Sequence, residues 1–189
     1  MIFFYHKQFH IQIFCKLLTK IYNSYMIFTK EVCTSKEDGY IMKIAIGCDP
    51  NAQEAKEQLM KFMESKGYGE ITDFGSEDPI YANTAIAVAE AVAAKEYDRG
   101  ILLCGTGIGV SLAANKVKGA YAALLSDVYS AKRARLSNDA NIACLGAFTT
   151  GNKLREELID AFLTNEFVPG CSSQPKVDAF IAYEEAHQK

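Results

Sequence analysis

Histidine is nearly missing from this chain. His6 and His10 lie near its start and His187 near its end, so the long stretch between them offers no imidazole. That argues against a Cys–His hydrolase, whose thiol needs an imidazole base, and against a histidine-built metal centre; no metal ligand set is expected. The six cysteines, Cys15, Cys33, Cys48, Cys104, Cys144 and Cys171, contain no CxxC pair and no regular framework. They read as reduced thiols of a cytoplasmic protein, each to be judged by its own surroundings. No apolar run approaches the roughly 20 residues that cross a bilayer, and no continuous apolar segment with a cleavage site marks a signal peptide. Basic residues do not predominate, with 20 Lys and Arg against 23 Asp and Glu. Neither a nucleic-acid partner nor a membrane surface is expected. Tryptophan is absent, which excludes nothing.

What is present suffices for one good core: 189 residues, 49% of them hydrophobic. Residues 1–41 differ from the rest. They are rich in Phe and Tyr, but Lys7, Lys16, Lys20 and Lys30 interrupt every apolar run. Met42 then opens a clean strand. The expectation is that the native protein begins at Met42, the preceding stretch being a misassigned start or a dispensable extension; the alternative is a helical arm packed on a partner subunit. Residues 42–189 form the domain.

From Met42 onward short β-rich runs alternate with longer helical ones. Strands are expected at Lys43–Cys48, Glu70–Phe74, around Ile101–Leu103, at Ala120–Leu125 and at Ile142–Leu145. Helices are expected from Asn51, with Glu54 completing a capping box, to Lys66 before Gly67, then over Tyr81–Ala94, from the glycine loop to Lys116, and over Asp127–Ser137, Lys153–Thr164 and Val177–His187. Val168–Lys176, with two prolines and a glycine, reads as a loop. Five strands alternating with helices and no hairpin signal predict an α/β fold, a doubly wound, Rossmann-like, five-stranded parallel sheet with helices on both faces. Ligands of such sheets bind beyond the carboxyl ends of the strands. That edge collects Asp49, Cys104 to Gly109, Ser126 with Asp127, and the loop after Leu145.

The stretch Arg99 to Lys116 carries the strongest chemical signal: an apolar strand, then Cys104, Gly105, Thr106, Gly107, Ile108 and Gly109, then a small-residue helix. Glycines admit positive φ and close approach of an oxyanion to the amides, and a helix start adds positive charge. A thiol at the mouth of such a loop suits proton abstraction beside a developing oxyanion, provided the loop favours its ionised form; otherwise Cys104 fills space at a strand end. Asp49 either holds a hydroxyl or assists proton transfer, or caps the turn after it. The GxGxG pattern on a third strand is not the dinucleotide fingerprint, and no P-loop lysine follows it, so no cofactor is expected. Cys48 and Cys144 fall in strands and read as buried, inert thiols. Ser137-Asn-Asp-Ala-Asn141 is unusually polar just before a strand, as a side-chain-closed turn would be. Lys132, Arg133 and Arg135 read first as a solvated face.

MKIAIGCD at 42–49, RGILLCGTGIGVSLAANKVKG at 99–119, YSAKRARLSNDANIACLGA at 129–147 and IDAFLTNEF at 159–167 together resemble the type B ribose-5-phosphate isomerases and the galactose-6-phosphate isomerase subunits. The resemblance runs in order through nearly all of 42–180. It implies aldose–ketose interconversion of a sugar phosphate through a cis-enediolate, without metal or cofactor. By this resemblance Cys104 is the base, Thr106 lies beside the substrate, Asp49 binds hydroxyls, and the amides of Gly105, Thr106, Gly107, Ile108 and Gly109 hold the enediolate oxygen. Sites of this family lie between two subunits, the segment matching Ser137–Asn141 coming from the partner, which makes Asn138 and Ser137 substrate contacts.

The departures concentrate on charge. Pro50 and Ser137 stand where the family has histidines, and Phe148 and Cys171 where it has arginines. Arg135, Lys132 or Lys176 is then left to grip a phosphate. Alternatively, the chain is one subunit of a hetero-oligomer whose paralogue brings the missing groups, or a binding protein without turnover. A homodimer or homotetramer is the simplest assembly.

Overall fold

A computed structural model of the chain describes residues 40–75 and 77–187, all but Tyr40 within the unit Ile41–Lys189. The expectations placed on residues 1–39 lie outside the described residues. Five strands form one parallel sheet: β1 (Lys43–Cys48), β2 (Glu70–Asp73), β3 (Arg99–Cys104), β4 (Ala122–Leu124) and β5 (Ile142–Gly146), in the order β2-β1-β3-β5-β4. Between them run α1 (Gln53–Lys66), α2 (Tyr81–Ala93), α3 (Ile108–Ala114) and α4 (Val128–Leu136), and α5 (Asn152–Leu163) and α6 (Gln174–His187) follow β5.

The central strands β1, β3 and β5 are buried on both faces, and their alternation divides the core in two. Ile44, Ile46, Ile101, Leu103, Ala143 and Leu145 face Leu59 and Met63 of α1, Ala131 and Ala134 of α4, and Leu158 and Phe162 of α5. Ala45, Leu102, Cys104, Ile142 and Cys144 face Ala85, Val88 and Val92 of α2 and Val110 and Ala114 of α3. This is the doubly wound arrangement expected of near-continuous apolar strands. At about 25 cal/mol per Å² of apolar surface removed from water, each large side chain so buried contributes roughly 1.5–3 kcal/mol.

Local chemistry explains most of the boundaries. Gly67, at φ 67°, ends α1 in the left-handed conformation its lack of a Cβ allows. Asp127 caps α4 by accepting from Ser130 N–H at 2.8 Å. Two expectations are corrected. Asn51 starts no capping box: it sits inside a 3₁₀ turn, Pro50–Ala52, capped by Asp49, and Ala52 precedes α1 without a side-chain cap. The segment to Lys176 is not loop throughout, because α6 begins at Gln174; Pro175 falls in its first turn, where a missing N–H costs no helical bond. β4 is shorter than expected, with Asn141 Oδ1 accepting from Tyr121 N–H at 2.7 Å just ahead of it.

The sheet order places the site. The chain moves outward from β1 to β2 and then returns to the other side of β1 with β3. Such a reversal opens a crevice at the carboxyl ends of the two strands. Asp49 follows β1 there and Cys104 ends β3, joined by the Asp49 N–H to Leu103 carbonyl bond at 3.1 Å.

Candidate active site

Cys104 is 5% exposed, and its sulfur accepts from the Gly107 N–H at 3.1 Å. That bond requires the chain to double back over three residues. Gly107 makes the reversal at φ 78°, and a Cβ there would stand 2.6 Å from Leu124 Cδ1 and 2.8 Å from the Leu145 carbonyl carbon. Only glycine meets both demands. Thr106 is exposed at the crest of the loop, its Oγ1 3.4 Å from the Ile108 N–H, and Ile108 is exposed beside it as the first residue of α3. The loop thus brings a backbone donor to the Cys104 sulfur directly ahead of α3.

Asp49 is 8% exposed, and its Oδ1 accepts from Asn51 N–H at 2.9 Å. The capping role weighed for it is therefore realised, and it stands at the same sheet edge as Cys104. The third wall is the turn after β5. Its Ala147 N–H donates to the Cys104 carbonyl at 2.8 Å and its Phe148 N–H to the Gly105 carbonyl at 2.9 Å. The Phe148 ring, 74% exposed, approaches within 3.1 Å of where a Gly105 Cβ would be. Tyr81, at the start of α2, covers Gly109 in the same way, its Cζ 2.6 Å from that glycine's would-be Cβ. The loop after Leu145 was expected at this edge, but its bonds to the glycine loop and the cover by Tyr81 had no signature in the sequence. Both are set by contacts between segments far apart along the chain.

Other predicted site residues lie elsewhere. Ser137 and Asn138 follow α4 at the amino end of β5, and Ile142–Leu145 of that strand separate them from Gly146, its last residue and the partner of Cys104 in the sheet. At about 3.3 Å per residue the strand alone spans about 13 Å. One chain thus does not bring them to its own Cys104. Asn138 is exposed, and Ser137 Oγ accepts from Arg133. The segment does not close simply on its own backbone: Asp139 pairs with Arg135 at 2.9 Å, and Asn141 Nδ2 donates to the Gly119 carbonyl at 2.8 Å.

Arg135 must be corrected. It is neither on a solvated face nor free to hold substrate. Only 3% exposed, it donates to Asp139, to the Ala140 carbonyl at 2.6 Å and to Glu166 at 2.7 Å. Lys176 is exposed in the first turn of α6, and Lys132 is exposed on α4. Pro50 and Phe148 are exposed and Cys171 half-buried. Cys48 and Cys144 are buried as expected, and burial pushes the Cys144 thiol pKa well up, leaving it inert. Among the described residues no three His, Cys, Asp or Glu side chains gather as a metal site, and no helix is long and apolar enough to cross a membrane.

Residues 44–180 match the family model described as Ribose/Galactose Isomerase. A ribose-5-P isomerase B of Listeria innocua is 48% identical over 151 residues, covering 78% of this chain and 99% of that protein. A D-erythrulose-4-phosphate isomerase of Pectobacterium atrosepticum is 44% identical over 154 residues, covering 78% and 100%. Among solved structures, the type B ribose 5-phosphate isomerase of Trypanosoma brucei superposes with a TM-score of 0.73 at 38% identity, covering 77% of this chain and all of that one.

Proposed function

The chain belongs to the ribose/galactose isomerase family, and from that premise we propose that it interconverts an aldose and a ketose phosphate through a cis-enediolate, with Cys104 as the base. The Cys104 thiolate takes the proton from the carbon beside the carbonyl. The electrons of the broken C–H bond form a C=C bond and the carbonyl π electrons move onto the oxygen, where the enediolate charge is met by amides of the Gly105–Gly109 loop. The same sulfur returns the proton to the former carbonyl carbon while the hydroxyl proton of the second carbon passes to the first carbon's oxygen, completing the isomerisation with no net oxidation. The observation that carries this reading is the Gly107 N–H aimed at the Cys104 sulfur at 3.1 Å. General-base catalysis supplies about 10² to 10⁴-fold, and each well-placed oxyanion donor about 3–4 kcal/mol. The chemistry asks for a base and an anion cradle, and for no cofactor.

Asp49 and Thr106 line the substrate end of the loop in this reading. Ser137 and Asn138 then serve the Cys104 of another copy, since their own is a strand's length away, which makes the working unit at least a homodimer, and Lys176 helps to grip the phosphate. A second reading is favoured by a specific feature. Pro50, Ser137, Phe148 and Cys171 are all uncharged, while the dianion of a phosphate gains roughly 1.5–3 kcal/mol from each charge-assisted bond. A paralogous chain in a hetero-oligomer would restore that grip.

The deciding experiment is deuterium incorporation from heavy water into ribose 5-phosphate, erythrulose 4-phosphate and galactose 6-phosphate, by the wild type and by Cys104→Ala. Cys104-dependent exchange into one sugar identifies reaction and substrate together. Exchange that survives in Cys104→Ala removes the thiol from the mechanism, and exchange appearing only with a paralogue added selects the hetero-oligomer.

A further inference from the structure

Arg155 occupies an electrostatically costly position. It lies in the first turn of α5 and is 6% exposed, where a helix start already carries partial positive charge. None of the ion pairs formed among the described residues includes it, and its Nε is buried without a hydrogen-bond partner. A buried guanidinium in such a setting must be held by what its other nitrogens do. Nη1 donates to two carbonyls, Ala147 at 3.3 Å and Thr150. These are the two ends of the turn that follows β5.

That turn is otherwise closed on itself and on the glycine loop. Thr150 returns its N–H to the Gly146 carbonyl at 3.1 Å and its hydroxyl to the same oxygen at 2.6 Å. Gly146 lies against Thr106 so closely that a Cβ would stand 2.8 Å from the Thr106 carbonyl carbon and oxygen. Ala147 and Phe148 present their N–H groups to the carbonyls of Cys104 and Gly105.

A trans peptide is planar, with C=O and N–H pointing in opposite directions. The Cys104 carbonyl shares its peptide with the Gly105 N–H, and the Gly105 carbonyl shares its peptide with the Thr106 N–H. Holding the two carbonyls toward the turn therefore aims those two N–H groups away from it, on the loop's other side. We infer that Arg155 is a positioning residue for the proposed isomerisation: by clamping the Ala147–Thr150 turn it fixes the direction of the Gly105 and Thr106 amides in the anion loop. It touches neither substrate nor sulfur. The inference rests on the functional reading above for its catalytic consequence, but not for the clamp itself.

The test pairs a measurement that needs no substrate with one that does. Amide hydrogen exchange is followed at Ala147 and Phe148, whose N–H groups hold the Cys104 and Gly105 carbonyls, in the full chain, alongside kcat and KM on the sugar that the wild type turns over. Arg155→Met is expected to speed exchange at both amides by about tenfold or more, with the β1 amides unchanged. It is expected to lower kcat by about 10 to 100-fold with KM within about threefold. Arg155→Lys keeps the charge but lacks the fork, and is the variant to read if Arg155→Met does not fold. It is expected to show both changes at smaller size. Wild-type exchange at Ala147 and Phe148, even with a lowered melting temperature, would make Arg155 merely a structural residue and overturn the inference. So would unchanged kcat in a folded variant with loosened amides. If the wild type turns over no sugar phosphate, the functional reading fails, and the exchange result still decides the clamp.

Discussion

The two edges of the sheet handle polar groups in opposite ways. At the amino edge, Arg99 and Arg135 share the carboxylate of Glu166 at 2.6 and 2.7 Å, and Asp139 takes another Arg135 nitrogen. Burial and the neighbouring Arg135 charge pull the Arg99 pKa down, and Glu166 holds it up. Around them lies a small cavity of about 170 Å³, with Tyr121 and Asn141 in its wall. At the carboxyl edge a thiol and a glycine loop meet with no such network; Thr106, Ile108 and Phe148 are exposed around them. Polar groups that satisfy one another brace a fold, while groups left facing outward are available for chemistry. Residue type does not tell the two apart: Arg135 suits a phosphate grip, yet it is a strut.

The sharpest test of this contrast is Cys104→Ala. It is expected to lower turnover by about 10³-fold or more with the denaturation midpoint nearly unchanged, read by deuterium exchange and urea titration side by side. A large stability loss would move Cys104 to the bracing class. Gly107→Ala should damage both properties, because φ 78° and the fixed Leu145 backbone at 2.8 Å cannot both accommodate a methyl group. A stability loss of roughly 1–3 kcal/mol is expected, together with a slower reaction of Cys104 with iodoacetamide as its amide donor is displaced. Undisturbed alkylation would show that the Gly107 bond does not govern the sulfur.

At the opposite edge, Arg135→Met should register in stability, with a cost of about 1–3 kcal/mol from leaving the Ala140 carbonyl without its donor, read as a shift in urea midpoint. An unchanged midpoint would deny the strut. The smallest effect concerns pH. Burial, with help from the Glu184 hydrogen bond, pushes the Tyr121 hydroxyl up to about 12 from an ordinary 10.0. The unfolded chain then loses this proton first, so the stabilisation is full below pH 10 and declines as pH rises toward 12. Tyr121→Phe should flatten that decline. Tyr68, raised in the same direction, keeps some of it. An identical alkaline slope in the variant would show that Tyr121 does not contribute.

Much of this was legible along the chain. Short apolar runs ending in Cys48, Cys104 and Gly146 mark strands buried on both faces, and Gly67 marks a helix end, because strand burial and left-handed caps depend on neighbours a few residues away. Cys104 with its glycines was legible for the same reason. The Asn51–Glu54 pattern misled because Asp49 and Pro50 formed a competing 3₁₀ turn first. Arg135 misled because its partner Glu166 lies 31 residues on, beyond the reach of any local pattern. Tyr81 and Arg155 carried no signal at all.

By itself, then, the sequence determined that a parallel α/β sheet forms and that a thiol is followed by a glycine loop at a strand end. Each follows from hydrophobic periodicity or from the backbone freedom of glycine, which are local properties. Only the tertiary structure decided which buried cations are consumed by carboxylates, which side chains roof the loop, and that Ser137 and Asn138 stand a strand's length from their own Cys104. Those outcomes depend on strand order and on hydrogen bonds between distant segments, which the packing of the whole sheet sets.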